Sequence, residues 1–197
     1  SGAILGSKEV GDKLLTPEIA GLAEVMNFPS VLACDDEVLK KVELAHALKK
    51  PVDGHAPLLR GAELDAYLSA LILSDHETVS GEEALEKLRK GMYVAAREGT
   101  ASKNLEDILR AVKEARIDTR HVMLATDDLS PVDLVYEGHV DVLIRKAVEL
   151  GFDPVEAIQM ATINTATYLH VDWDIGSIAP GKVADIVLVD DLEKVVV

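Results

Sequence analysis

A repeated unit constrains this chain more than any other feature: five times, a short apolar run ends on a polar residue and gives way to a helical pattern. The runs are Ile19 to Met26, Pro51 to His55, Ala70 to Leu73, Met92 to Ala96 and His121 to Ala125, and the polar residues closing them fall at 24, 55, 76, 97 and 127. Those positions are separated by 31, 21, 21 and 30 residues, the spacing of alternating strands and helices. Such a series folds as a parallel sheet with right-handed crossovers, in which every strand delivers its C-terminal end to one shared rim. Residues far apart in sequence therefore meet there.

Helical patterns fill the intervals. Val38, Leu39, Val42, Leu44 and Ala45 mark one face over 36–49, and a second helix runs from 61 to about 70. Ser80 and Glu83 have the spacing of a capping box, with Gly91 placed to end that helix. Leu105, Ile108, Leu109 and Val112 share a face over 102–115. After the fifth run, one helix spans 139–150, and Asp153 with Pro154 opens another that reaches about 169. Beyond it the pattern changes. Residues 174–182 and the run Ala184 to Val189 read as a turn between two strands, so the expected division is 1–170 for the α/β part and 171–197 for the start of a small β-sandwich domain.

Composition narrows the function classes. Apolar residues make up 48% and aromatics only 4%, so the core rests on Ala, Val, Leu and Ile, as suits buried parallel strands. A formal net charge of −15 repels phosphate backbones and argues against a nucleic-acid partner. There is no apolar run long enough to span a bilayer, which argues against a membrane partner. A single cysteine, Cys34, precludes an internal disulfide and fits a reducing, cytoplasmic setting. Cys34 itself is expected to pack rather than react, because nothing around it suggests a lowered thiol pKa.

Glu24, His55, His76 and Asp127 are the residues with chemistry in them. Each closes a different predicted strand, and imidazoles with carboxylates are the ligands that divalent first-row metals take. A lone histidine at a strand end is usually just hydrogen-bonded, but four ligand-type residues on one rim put a metal site on an equal footing with that reading. Around them, Glu77 is either a general acid/base beside His76 or a partner that orients it. Asp75 should point away from the rim by strand alternation. Arg97 and Glu98 are expected to pair with each other, Asp128 to cap a helix, and His139 either to reach the rim or to sit on the surface.

The motifs in register resemble the adenine deaminase family of the amidohydrolase superfamily. They are Gly21-Leu-Ala-Glu-Val-Met-Asn-Phe-Pro29, Asp53-Gly-His-Ala-Pro57, Ser74-Asp-His-Glu77 and Thr126-Asp-Asp128, with Gly91-Met-Tyr93, Arg97-Glu-Gly99 and Glu137-Gly-His139 between and after them. Ile158 to Asn164 and Ile178 to Asp185 continue the likeness to the end. The resemblance implies a partial TIM-like (β/α)8 barrel, about strands four to eight, holding two divalent metal ions, manganese or iron, with zinc as an alternative. It implies Glu24 as the bridging ligand, His55 and His76 on one metal, and Asp127 on the other as proton carrier. The implied substrate is a small molecule, adenine, deaminated hydrolytically to hypoxanthine and ammonia.

One departure stands out. The family places a His-x-His pair on its first strand, and the histidines here, 46, 55, 76, 121, 139 and 170, include no such pair. The chain also opens at Ser1 without a methionine, and five strands do not close an eight-strand barrel. A missing N-terminal half, or a second copy of the chain, is therefore the expected partner. Two rival readings stand beside it: an amidohydrolase acting on a cyclic amide or N-acyl substrate, which shares the ligand set, and an inactive fragment that only binds, which the missing His-x-His pair favours.

Overall fold

The structure is a computed structural model that describes residues 4–192 together with 194 and 195. Five short strands, β1 (Leu22–Val25), β2 (Val52–Gly54), β3 (Ser74–Asp75), β4 (Tyr93–Arg97) and β5 (Val122–Ala125), alternate with helices. The helices that follow them are α2 (Phe28–Leu32) and α3 (Asp36–Ala47), α4 (Gly61–Ser69), α5 (Gly81–Arg89), α6 (Leu105–Glu114), and α7 (Pro131–Tyr136). A helix α1 (Ser7–Leu14) precedes β1, and α8 (Val140–Glu149), α9 (Pro154–Ala161) and α10 (Ile163–Tyr168) complete the order. Among the described residues no helix is long and apolar enough to cross a membrane.

Every strand pairing is parallel, but the strands fall into two sheets, β1-β2 and β3-β4-β5. Each sheet has its own core. Val25, Val42, Val52, Leu64 and Ile72 pack around the first, and Val94, Ile108, Leu109, Val122 and Met160 around the second. The face Leu105, Ile108, Leu109 and Val112 is fully buried, as its spacing predicts. Strands β4 and β5 are buried almost continuously, because helices cover both of their faces.

Helix ends follow the local chemistry. Asp35 caps α3 through the Val38 amide, and Asp153 caps α9 ahead of Pro154. Half of the expected capping box forms. Ser80 accepts from the Glu83 amide, but the Glu83 carboxylate reaches the amides of Val79 and Leu58 instead of that of Ser80.

Three expectations change. The third apolar run is not a strand: Ala70 ends α4 and Leu71 takes a left-handed φ of 60°, so extended pairing begins only at Ser74. The helix expected to run from Asp153 to 169 breaks at Thr162, and Asn164 then turns inward to donate to the carbonyls of Thr119 and Val122. Residues 184–189 lie in no strand, because no neighbouring segment among the described residues offers them a ladder, and Val187 and Leu188 face solvent.

The two sheets meet at β2 and β3, which are not paired. Gly54 sits hard against this junction. A methyl group there would lie 2.2 Å from the Ser74 carbonyl oxygen and 2.8 Å from the Tyr67 hydroxyl, so the close approach requires glycine. Side chains bridge where backbone ladders do not: the Gly54 amide donates to the Ser74 hydroxyl, and the Ala56 amide to the Asp75 carboxylate.

Candidate metal centre

Glu24 from β1, His55 just past β2 and His76 just past β3 converge at this junction. One ligand atom from each lies within 4.8 Å of the other two. Glu24 Oε2 is 2.6 Å from His76 Nε2 and 3.1 Å from His55 Nδ1. The imidazoles stand edge to face, 5.3 Å between centres. Three strands that diverge in sequence supply two nitrogens and an oxygen to one spot, a donor set that fits a divalent first-row metal.

His76 is held from behind. Its Nδ1 is 3.1 Å from Asp53 Oδ2, which directs Nε2 toward the shared centre. Asp53 Oδ1 accepts from the Ser74 hydroxyl at 2.6 Å, and Ser74 in turn accepts from the Tyr168 hydroxyl at 2.6 Å. Tyr168 is also 2.8 Å from the carbonyl oxygen of Val52, so α10 reaches across both sheets. Burial works against the charged imidazole of His76. The hydrogen bond and charge of Asp53, with the charges of Glu24 and Asp75, outweigh it and hold the pKa up at about 9. Asp53, not Glu77, is therefore the carboxylate that orients His76. The sequence signal for it was its place two residues before His55, on the same side of β2.

Asp127 stands apart from the three-ligand group. It has a φ of 56° beyond β5, and its carboxylate accepts from Arg97 Nη1 at 2.9 Å. Arg97 simultaneously holds both oxygens of Glu77. Glu77 Oε1 is 3.9 Å from His55 Nδ1, so the chain of contacts runs from the three-ligand group through Glu77 and Arg97 to Asp127. Burial disfavours the Arg97 charge, but the two carboxylates prevail and raise its pKa. The expected Arg97–Glu98 pair does not form, because successive strand residues face opposite ways, and Glu98 reaches Lys146 instead. Asp128 does not cap a helix; it accepts from the Ala101 amide and closes the loop at Gly99. His139 is exposed at the start of α8, its Nε2 3.3 Å from the Thr126 hydroxyl. Cys34 is exposed rather than packed, with a φ of 56° in the turn after α2.

Asp75 does point away from the centre, into a buried polar cluster that the strand pattern did not reveal. Its carboxylate meets the Lys87 ammonium at 2.7 Å and the Thr78 hydroxyl at 2.6 Å. Burial pushes the Asp75 carboxyl up, but the charge and hydrogen bond of Lys87, with Thr78 and the Ala56 amide, carry it below the usual range. A legible signal existed: Glu83 and Lys87 fall on the same helical stripe as Ala84 and Leu88, the buried face of α5.

A family model described as the amidohydrolase family matches residues 7–196. Among curated relatives, the adenine deaminase of Staphylothermus marinus is 49% identical over 98% of this chain and 32% of its own length. That of Desulfatibacillum aliphaticivorans is 48% identical over 98% of this chain and 33% of its own. The adenine deaminase of Methanothermobacter thermautotrophicus is 46% identical over 98% and 34%. The chain thus spans about a third of the length of the curated relatives it matches. Two solved structures share the fold. Phenylurea hydrolase B has a TM-score of 0.57 at 20% identity, over 97% of this chain and 54% of its own. A Xaa-Pro dipeptidase has a TM-score of 0.55 at 17% identity, over 93% and 52%.

Proposed function

This chain belongs to the amidohydrolase family, and from that membership we propose that the protein carrying it deaminates adenine to hypoxanthine and ammonia by hydrolysis. The observation that carries the proposal is the meeting of Glu24, His55 and His76 within 4.8 Å, in a chain 45–49% identical to proteins named adenine deaminase. In this reading the five parallel strands stand as strands four to eight of an eight-strand barrel, and residues 171–197 contribute to a small β-domain.

Glu24, His55 and His76 would hold a divalent metal, with Asp127 serving a second one; manganese and iron are the proposed metals and zinc the alternative. When bound, such metals supply Lewis-acid activation of water near neutral pH. The chain's own residues then have defined tasks. Asp53 keeps the His76 imidazole in the tautomer that presents Nε2. Asp127 takes the proton of the attacking water and passes it to the ring nitrogen or to the departing amine. The new C6–O bond replaces the C6–N bond, and ammonia leaves. Arg97 fixes the Asp127 carboxylate, and Glu77, tied to the same guanidinium beside His55, is positioned as a further acid/base group.

The test is product analysis on the intact protein reconstituted with Mn²⁺ or Fe²⁺. Hypoxanthine and ammonia in equal amounts from adenine, lost in Asp127→Asn, are expected. Turnover of a cyclic amide or N-acyl substrate with none of adenine would move the assignment to the rival reaction.

A further inference from the structure

We infer that Lys87 is a positioning residue for the metal centre, clamping together the two turns that carry His55 and His76. The inference rests on the metal-site reading above. Lys87 is completely buried, yet the hydrogen-bond partners of its ammonium are Ala56, Asp75, Thr78 and Glu83 rather than any candidate ligand. Its ammonium donates to the Ala56 carbonyl oxygen at 2.8 Å, in the turn just past His55. It also donates to Asp75 at 2.7 Å and to Thr78 Oγ1 at 3.2 Å, on either side of His76. Glu83, one helical turn earlier, pairs with the same ammonium and accepts from the Leu58 amide at 2.8 Å.

The placement matters because β2 and β3 share no backbone ladder. Their separation, and hence the distance between the two imidazoles, is set by side chains crossing the junction. Lys87 offers three N–H donors and finds acceptors on both sides of it. A buried cation with two carboxylates is a costly way to stabilise a helix, and apolar residues of the same volume serve as well or better. What an apolar residue does not supply is a fixed point to which two separate turns are tied.

The experiment uses the intact protein and measures Mn²⁺ affinity from the electron paramagnetic resonance of free Mn²⁺. Lys87→Met combined with Glu83→Gln removes one positive and one negative buried charge together, leaving the net buried charge unchanged. Mn²⁺ affinity is expected to fall about 10-fold or more, in the range seen when groups supporting metal ligands are lost. Leu109→Ala, a core truncation on α6, serves as the comparison for general destabilisation; it is expected to bind Mn²⁺ like the wild type. Should the double variant not fold, Thr78→Val removes only the hydroxyl, with a few-fold loss expected, and Thr78→Ser restores it. Wild-type affinity in the folded double variant, or in Thr78→Val where the double variant does not fold, overturns the inference. An equal loss in Leu109→Ala overturns it as well. Wild-type Mn²⁺ binding that survives His76→Ala would instead refute the metal-site reading.

Discussion

Between β4 and β5 the backbone does the joining, with four residue pairs in unbroken parallel register from Val94–Val122 to Arg97–Ala125. Between β2 and β3 it does none of it, and hydroxyls, carboxylates and one ammonium cross the gap. A ladder tolerates changes of side chain because its bonds belong to every residue type except proline. A junction made of side chains has no such insurance, and each crossing group is specific. The three converging ligand candidates straddle the second kind of contact. Asp127, on the first kind, is held instead by one guanidinium.

The largest effect should come from the ligand candidate that stands on the far side of the junction. His76→Ala is expected to cost the intact protein at least about 1000-fold in adenine turnover, more than the 10–100-fold typical of groups that only support a ligand. Turnover within 10-fold of wild type would break the comparison at its centre. Next comes Asp53→Asn, which keeps the shape but removes the charge facing His76 Nδ1. About 10–100-fold weaker metal binding is expected, with little change in thermal stability, as read by metal titration and melting together.

A matched pair sharpens the contrast further. Gly54→Ala and Ala96→Val each add carbon to a fully packed position, and each should cost about 1–3 kcal/mol in denaturant unfolding. Only Gly54→Ala, which forces the Ser74 carbonyl away, should also weaken metal binding by a few-fold. Equal metal affinity in the two would show that the ladderless junction is no softer than the ladder.

The most gradual effect is one with pH. His76 has its folded pKa raised to about 9 from an ordinary 6.5, so its contribution to the stability of the metal-free protein is fully present below about pH 6.5 and is lost as pH rises through 9. Metal must displace that proton, so metal affinity should move the opposite way and tighten across the same window. Melting curves with and without Mn²⁺ from pH 6 to 9 test both directions. In His76→Ala both trends should flatten.

Much of this was legible in the sequence, and the gaps have physical causes. Periodicity located the buried face of α6 and the strand ends at 24, 55 and 76, since alternation and helical spacing are local signals. The position of Asp127 beside Arg97 was not legible, because a left-handed residue beyond a strand end redirects its side chain in a way spacing does not encode. Lys87 hides for a related reason. In an acidic helix a Glu–Lys pair four residues apart reads as a solvated surface pair, and only the neighbouring Ala84 and Leu88 marked it as buried. The strand expected at 70–73 failed because a two-residue strand after a left-handed turn leaves almost no pattern to read.

The hydroxyl of Tyr168 carries a consequence for how such a chain is made. It closes the relay behind His76 by reaching Ser74, 94 residues earlier, and Val52, 116 residues earlier. On a ribosome, where N-terminal segments emerge and begin to fold first, Glu24, His55 and His76 are all exposed to solvent and to passing metal ions well before α10 exists. The support behind His76 is thus completed by a residue that emerges long after the histidine it steadies. A nascent chain stalled short of residue 168 would lack that support, and the relay behind His76 closes only when α10 docks.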